Sequence, residues 1–181
     1  MSFVLFHEFF PEVAKKETRS IAVPPGGLQG VPEGSYGFLE MFCDESGCDC
    51  RRVMFSVVSL ERQALEAVIA WGWEDRAFYA RWFGMNAPEM VNELKGPILN
   101  LGSPQTKDAG ALLRMTEDLL LTDPAYVERV QRHYALFREQ IDQKEGTGGR
   151  AIAGSEKAHG VSKKSKERRK RRRRPGLGGG N

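Results

Sequence analysis

Three cysteines, the only ones in the chain, lie in the eight-residue segment CDESGCDC that spans positions 43 to 50. Thiolates bind Zn²⁺ tightly because the ion is borderline-soft, and a structural zinc site takes four ligands in a tetrahedron. An odd number of cysteines packed this closely suits a metal site or reactive thiols better than a disulfide framework. The spacing Cys-x4-Cys-x-Cys therefore predicts a zinc site formed by Cys43, Cys48 and Cys50.

The fourth ligand of this predicted zinc site does not follow from the spacing. Asp44 and Asp49 are the local candidates, while His7, His133 or a water molecule are distant ones. Among these we predict His133, since it lies beside the apolar stripe of the last predicted helix and faces partly toward the predicted sheet. A histidine on a helix flank often has a backbone or water partner instead, so both interpretations stay open.

A second use of the cysteines, as a metal- or thiol-dependent enzyme or a redox sensor, is also consistent with the sequence. Arg51 and Arg52 would lower the pKa of a neighbouring thiol, but no base or orienting group lies beside the cysteines. A catalytic zinc needs an open position for water, and three thiolates donate so much charge that the ion becomes a poor Lewis acid. We therefore predict a non-enzymatic interaction or adaptor domain and keep the enzyme or sensor as the alternative.

A block of basic residues near the C-terminus is the other feature with chemical meaning. The segment KKSKERRKRRRR, at 163 to 174, has ten positive charges and one negative charge. Such a block attracts phosphate backbones by counterion release, without regard to base sequence. We predict non-specific contact with RNA or DNA, and an acidic protein or an anionic membrane is an alternative partner. The predicted contact residues are Lys163, Lys164, Lys166, Arg168, Arg169, Lys170, Arg171, Arg172, Arg173 and Arg174.

The charge is distributed unevenly along the 181 residues. Residues 151–181 carry 11 Lys or Arg against 2 Asp or Glu, whereas residues 1–150 carry 16 against 22. Beyond Gln143 the chain is rich in Gly, Ser, Lys and Arg, and it has too few large apolar residues to offset the entropy of ordering. The sequence therefore predicts one acidic domain at 1–145, with the composition of a soluble globular protein, and a disordered basic tail at 146–181.

The cellular compartment is predicted from the cysteines and from the N-terminus. Clustered thiols of this kind suit a reducing environment. The segment MSFVLFHEFF lacks the basic region of a signal peptide, and His7 and Glu8 interrupt its apolar run. The chain also lacks the run of about 18 apolar residues that a membrane-spanning helix needs. We therefore predict a cytoplasmic protein without an integral membrane segment.

A β-hairpin is predicted to position the cysteines. The segments 35–42 and 51–59 are rich in β-forming residues, and 44–49 forms a reversal that contains Gly47. With Cys43 opposite Cys50, Glu40 and Arg51 would be diagonal neighbours and form an ion pair. The alternation of the strands then predicts one apolar face made of Tyr36, Phe38, Phe42, Val53, Phe55 and Val57.

The remaining elements complete an α+β prediction. We expect a short helical or turn-like piece at 3–18, extended structure at 19–23 and a third strand at 64–73. Helices are expected at 74–83, 88–95 and 109–121, with a loop at 96–108, and Asp123 caps a last helix that begins at Pro124. Its apolar stripe is Tyr126, Val130, Tyr134, Phe137 and Ile141. The fold is thus a small antiparallel sheet of three or more strands, with the C-terminal helices packed on one face.

Four segments of the chain resemble a group of uncharacterised bacterial proteins. They are HEFFPEVAKKETRSI at 7–21, YGFLEMFCDESGCDCRRVMFSVV at 36–58, AWGWEDRAFYARW at 70–82 and DPAYVERVQRHYALF at 123–137. The resemblance covers nearly all of residues 3–140, and Cys-Asp-Cys-Arg-Arg is its most specific part. Some similar proteins are associated with a C-terminal zinc knuckle of the SEC-C type, in place of which this chain has the basic tail. The resemblance implies a single bacterial domain and implies no particular reaction.

Overall fold

Within the described residues, one antiparallel sheet of six strands and six α-helices form an α+β fold, as predicted. The computed structural model describes residues 2–85 and 87–152, with side chains described through residue 143. In chain order the elements are β1 (Phe3–Leu5), α1 (Phe6–Phe9), α2 (Pro11–Glu17), β2 (Arg19–Val23), β3 (Gly34–Cys43), β4 (Arg52–Ser59), β5 (Ala64–Gly72), α3 (Arg76–Phe83), α4 (Pro88–Lys95), β6 (Ile98–Leu99), α5 (Ala109–Thr116) and α6 (Pro124–Ile152). A π-helical turn at Glu117–Leu121 follows α5.

Strand β3 is the longest strand and pairs with three others. Strand β1 pairs with its C-terminal end, where Phe3 lies opposite Cys43, and β2 pairs with its N-terminal half, where Val23 lies opposite Gly34. Strand β4 pairs with β3 as the hairpin partner and is followed across the sheet by β5 and then by the short β6. Cys43 is therefore fixed in the ladder between the hairpin and the N-terminal strand.

The main core lies between one face of the sheet and helices α5 and α6. The predicted apolar face of the hairpin is confirmed, since its six residues are each at most 1% exposed. The predicted stripe of α6 is also buried, and Phe42 contacts both Tyr134 and Phe137 in it. Burial of a large apolar side chain stabilises the fold by about 1.5–3 kcal/mol. This interface therefore holds α6 against the end of β3 where the cysteines begin.

Short polar caps set where two helices begin. Asp75 Oδ1 accepts a hydrogen bond from the Phe78 backbone N–H at 2.7 Å, at the start of α3. Asp123 Oδ1 accepts one from Ala125 N at 3.0 Å, and Pro124 occupies the first position of α6 as predicted. Such caps satisfy backbone donors that have no partner within the helix.

The hairpin register differs from the predicted one. Pairing of Cys43 with Cys50 would have placed Met41 opposite Arg52, whereas Met41 lies opposite Met54. The prediction was wrong because it continued the ladder into residues 50 and 51, which belong to the loop. A shift of two residues leaves every side chain on its own face, which is why the prediction of the apolar face nevertheless holds.

Two short strands were absent from the sequence-based prediction. Phe3–Leu5 is strand β1, although we expected a helical or turn-like piece over 3–18. The three apolar residues of β1 are followed directly by the helically spaced apolar residues of α1 and α2. The sequence therefore shows no boundary between the strand and the helices. Likewise, Ile98–Leu99 pairs with β5 inside the predicted loop 96–108.

The last helix extends to Ile152, past the predicted domain boundary at residue 145. Residues 153–181 lie outside the described residues, and with them the predicted basic contact segment at 163–174. The division into a folded domain and a disordered tail therefore remains a prediction. Among the helices of the described residues, none has the length and apolar composition needed to cross a membrane.

Candidate metal centre

The three cysteine sulfurs form one cluster, in which the ligand atoms all lie within 4.8 Å of one another. Cys43 and Cys50 are fully buried, whereas Cys48 is half-buried. Three thiolates bound to one Zn²⁺ at about 2.3 Å would be separated by about 3.8 Å, so this arrangement is close to the spacing that a tetrahedral ion requires. Among the described residues, no other histidine, cysteine or carboxylate belongs to the cluster.

Two different backbone environments bring the cysteines together. Cys43 is the last residue of β3, whereas Cys48 and Cys50 lie in the loop that leads to β4. The loop turns tightly, since Cys48 N donates to the Glu45 carbonyl at 3.2 Å and Gly47 has a left-handed φ of 65°. Arg51 also has a positive φ of 47°, a conformation that non-glycine residues adopt rarely. The loop thus folds back over the end of β3.

Helix α6 holds this loop through Arg138. Its Nη1 donates to the Cys43 carbonyl at 3.0 Å and to the Glu45 carbonyl at 2.9 Å. Its Nη2 pairs with Asp142 Oδ1 at 2.6 Å, and the same oxygen accepts a hydrogen bond from Gly47 N at 3.3 Å. One buried guanidinium and its carboxylate therefore bind three backbone groups of the cysteine loop.

Two tyrosines bind the other end of the loop. The Tyr134 hydroxyl donates to the Cys48 carbonyl and accepts from Arg51 N, both at 3.4 Å. The Tyr79 hydroxyl donates to the Arg51 carbonyl at 2.8 Å. Tyr79 reaches this position across Gly72, where an added Cβ would lie 2.1 Å from the Tyr79 hydroxyl oxygen. Glycine at 72 is therefore required for α3 to contact the cysteine loop.

The predicted ion pair between Glu40 and Arg51 does not form, because the Arg51 side chain binds two other carboxylates. Its guanidinium binds Asp49 at 2.9 Å and Glu74 at 3.0 Å, and it lies 4.8 Å from the centre of the Phe78 ring. The prediction was wrong because Arg51 is in the loop and not in the ladder. Both carboxylates raise the pKa of Arg51, the Asp49 hydrogen bond being the larger cause.

The two buried thiols of the cluster, those of Cys43 and Cys50, are hard to ionise without a cation. Burial raises the pKa of Cys50 to about 12, and burial also raises the pKa of Cys43 above its usual value. A nucleophilic or redox-sensing cysteine needs a thiolate near neutral pH. The arrangement therefore favours ligation, because a bound metal ion displaces the thiol protons and supplies the positive charge that the thiolates need.

His133, the predicted fourth ligand, does not join the cysteine cluster. Its Nδ1 lies 2.7 Å from Glu40 Oε2 and its Nε2 lies 3.1 Å from Glu17 Oε2. The ring is 1% exposed and stacks on Phe6, with 4.4 Å between the ring centres. Both nitrogens already face carboxylate oxygens, so we no longer assign His133 as a metal ligand.

Sequence reasoning missed the contacts of α6 with the loop and the role of Glu40. One signal was available, since Glu40 is the polar residue on the apolar face of β3 and His133 lies beside the apolar stripe of α6. Two polar residues on facing buried surfaces indicate a pair. For Arg138 and Tyr134, no sequence signal identified loop carbonyls as their acceptors.

No protein-family model, curated protein or solved structure matches the chain. The chemistry of the site therefore rests on its own residues, namely three clustered sulfurs and a loop held by two helices.

Proposed function

We propose that the protein is a non-enzymatic zinc-binding interaction domain of a bacterial cytoplasmic protein, with Cys43, Cys48 and Cys50 as the zinc ligands. The observation that carries the proposal is the position of the three sulfurs within 4.8 Å of one another. Cysteines that serve only as apolar core residues do not need to lie close together, whereas the ligands of one metal ion do.

Zinc fits this donor set better than ions that prefer oxygen ligands do. Thiolate ligands favour Zn²⁺, Cu⁺ and iron–sulfur clusters, whereas Mg²⁺ and Ca²⁺ require oxygen ligands. Three cysteines supply three of the four ligands of a structural zinc site. Asp44 or a water molecule remains our proposal for the fourth ligand, because both carboxylate oxygens of Asp49 bind Arg51.

A binding role agrees better with the surroundings of the cysteines than a catalytic one. Cys43 and Cys50 are fully buried, so a substrate has access only at the side of Cys48. Burial raises the pKa of Cys43 and of Cys50, and Asp49, which precedes Cys50 in the chain, is held by Arg51. A bound zinc ion would hold the thiolates and fix the position of the loop for contact with a partner.

The basic tail supplies a second part of the proposal, contact with RNA or DNA through residues 163–174. Its support is the sequence alone, with ten positive charges in twelve residues beside an acidic domain. Counterion release makes such binding depend steeply on salt and not on base sequence. The tail would thus recruit the domain to nucleic acid, while the domain contacts a protein partner.

Cobalt substitution tests the metal site directly. Thiolate ligands give Co²⁺ an intense charge-transfer absorption, and tetrahedral geometry gives it strong visible bands. We expect both signals to saturate near one Co²⁺ per chain and to be reversed by Zn²⁺. Cys48→Ser should weaken them strongly, whereas Ser46→Ala, a loop change that spares the sulfurs, should leave them intact. Absence of thiolate charge transfer in the wild-type protein would refute the proposal.

A further inference from the structure

A groove lies on the opposite face of the sheet from the main core, between β4, β5, helix α4 and the segment 98–102. Its volume is about 330 Å³. Strand alternation explains its position, because Val53 and Phe55 face the core while Arg52 and Met54 face the other side. Helix α4 covers only part of this face, so the groove is open to solvent along one side.

The groove walls are partly apolar and partly polar. Met54, Leu94 and Leu99 form its inner part. Along its edge, Met90 is 40% exposed and Leu101 is 84% exposed. Large apolar side chains at the rim of a concave site are typical of ligand-binding pockets, in which a few polar groups determine orientation.

Two charged residues line the groove, Glu93 and Arg52, and the Arg52 guanidinium is not paired with the Glu93 carboxylate. Its Nη2 donates to the Glu93 carbonyl at 3.2 Å, but within the described residues it forms no salt bridge. Its Nε is buried and has no hydrogen-bond acceptor there. By contrast, the neighbouring Arg51 binds two carboxylates. A partly buried cation without an anion is costly, so an anionic group beside Arg52 would be stabilised.

We propose that this groove binds a small amphiphilic carboxylate, whose apolar body packs on Met54, Met90 and Leu94 and whose carboxylate pairs with Arg52. A planar guanidinium matches the two oxygens of a carboxylate and forms strong charge-assisted hydrogen bonds with them. Its volume of about 330 Å³ is at the lower end of the range for small-molecule pockets, so the ligand is a small one, such as a straight-chain acid of about eight carbons.

The proposed ligand site is separate from the proposed zinc function. Arg52 follows Cys50 by two residues, so its charge could instead serve the thiolates of the metal centre. The two roles predict different results. If Arg52 anchors the ligand, its substitution reduces the affinity for the carboxylate. If Arg52 is instead the counter-ion of the thiolates, its substitution reduces the metal content alone.

The experiment is calorimetric titration of the full chain with octanoate, octan-1-ol and octylammonium. We expect octanoate to bind about tenfold more tightly than octanol, because a charge-assisted hydrogen bond between a carboxylate and a guanidinium is stronger than a hydrogen bond to a neutral hydroxyl. Octylammonium should bind most weakly. Arg52→Gln should reduce octanoate affinity to that of octanol, while Arg51→Gln, a neighbour that does not line the groove, should stay within about twofold of the wild type.

A second pair of variants keeps the test valid if Arg52→Gln folds poorly. Met90→Glu places a negative charge at the groove edge and should reduce octanoate affinity about tenfold or more by repulsion and lost packing. Met85→Glu, at a position 57% exposed and outside the groove, is its control. Equal affinity for octanoate and octanol, no octanoate binding, or an Arg52→Gln variant that loses metal but keeps octanoate binding would each overturn the proposal.

Discussion

His133 Nδ1 lies 2.7 Å from Glu40 Oε2, and both side chains are buried where α6 packs on β3. Glu17 binds the other ring nitrogen from α2, and Arg129 lies 3.7 Å from the second oxygen of Glu40. The pair therefore connects three parts of the chain in the core. The pairing assigns His133 to the packing of the fold and not to the metal centre.

Removal of the Glu40 carboxylate should destabilise the domain without loss of metal. Glu40→Ala leaves His133 and Arg129 without their buried partner, and breaking a buried pair costs about 3–5 kcal/mol. Chemical denaturation measures this free energy of unfolding. Glu128→Ala, an exposed change on the same helix, should stay within about 0.5 kcal/mol of the wild type. Equal effects of the two variants would show that the pair contributes nothing.

The Glu17 carboxylate should contribute stability only above its titration range. The hydrogen bond from Arg132, and then the contact with His133, lowers the pKa of Glu17 in the folded state. A lowered folded-state pKa gives stability that is present above the unfolded pKa of about 4.3 and is lost as the pH falls.

Glu17→Gln tests this pH dependence. The variant should be less stable than the wild type at pH 7 by about 1 kcal/mol, a value kept small because the pair is partly exposed to solvent. The difference should shrink as the pH falls below about 4, where the wild-type carboxyl also becomes neutral. Urea denaturation at pH 7 and pH 3 measures both values, and a difference independent of pH would contradict the assignment.

Arg138 should matter for metal affinity more than for the core. It binds the carbonyls of Cys43 and Glu45, so Arg138→Gln frees the loop but leaves all three sulfurs in place. Loss of an outer contact of this kind lowers metal affinity about 10–100-fold. Competition with a coloured chelator measures the affinity, and Glu139→Gln, an exposed neighbour, serves as control. An Arg138→Gln variant with wild-type affinity would mean that metal binding does not depend on the contacts of Arg138 with the loop.

We expect residues 163–174, the basic segment, to be responsible for binding to nucleic acid. Truncation after Ile152 removes residues 163–174 but keeps the last helix as the structure has it. We expect the truncated chain to lose most retention on RNA or DNA at low salt, and the full chain to lose it steeply as salt rises. A full-length variant with serine at the ten basic positions should behave like the truncated chain. Retention by the truncated chain would place the contact surface on the domain.

The sequence predicted those parts of the fold that repeat with a regular period. Alternation identified the buried face of the hairpin, and four-residue spacing identified the stripe of α6 that includes Tyr134 and Phe137. Asp123 and Pro124 marked the start of that helix because capping is a local interaction. In each case the physical cause lies within a few neighbouring residues.

The details of the site depend on contacts between distant residues, which no local pattern contains. Glu40 and His133 are 93 positions apart, and periodicity shows that each is near the core but not which partner it takes. Arg51 lies outside the ladder and has a positive φ, which its residue type does not favour, and the observed register differs from the predicted one by two residues. The cysteine spacing predicted the cluster, whereas the support from Arg138 required the structure.

The zinc content of the purified protein tests the proposed metal site. The protein, purified without added metal or chelator, should contain close to one zinc per chain, and its three thiols should react with a thiol reagent only after chelation or unfolding. Cys48→Ser should lose the zinc while keeping a cooperative unfolding transition, because the core and the contacts of α6 do not depend on that sulfur. Wild-type protein without zinc, with all three thiols reactive in the native state, would contradict the account.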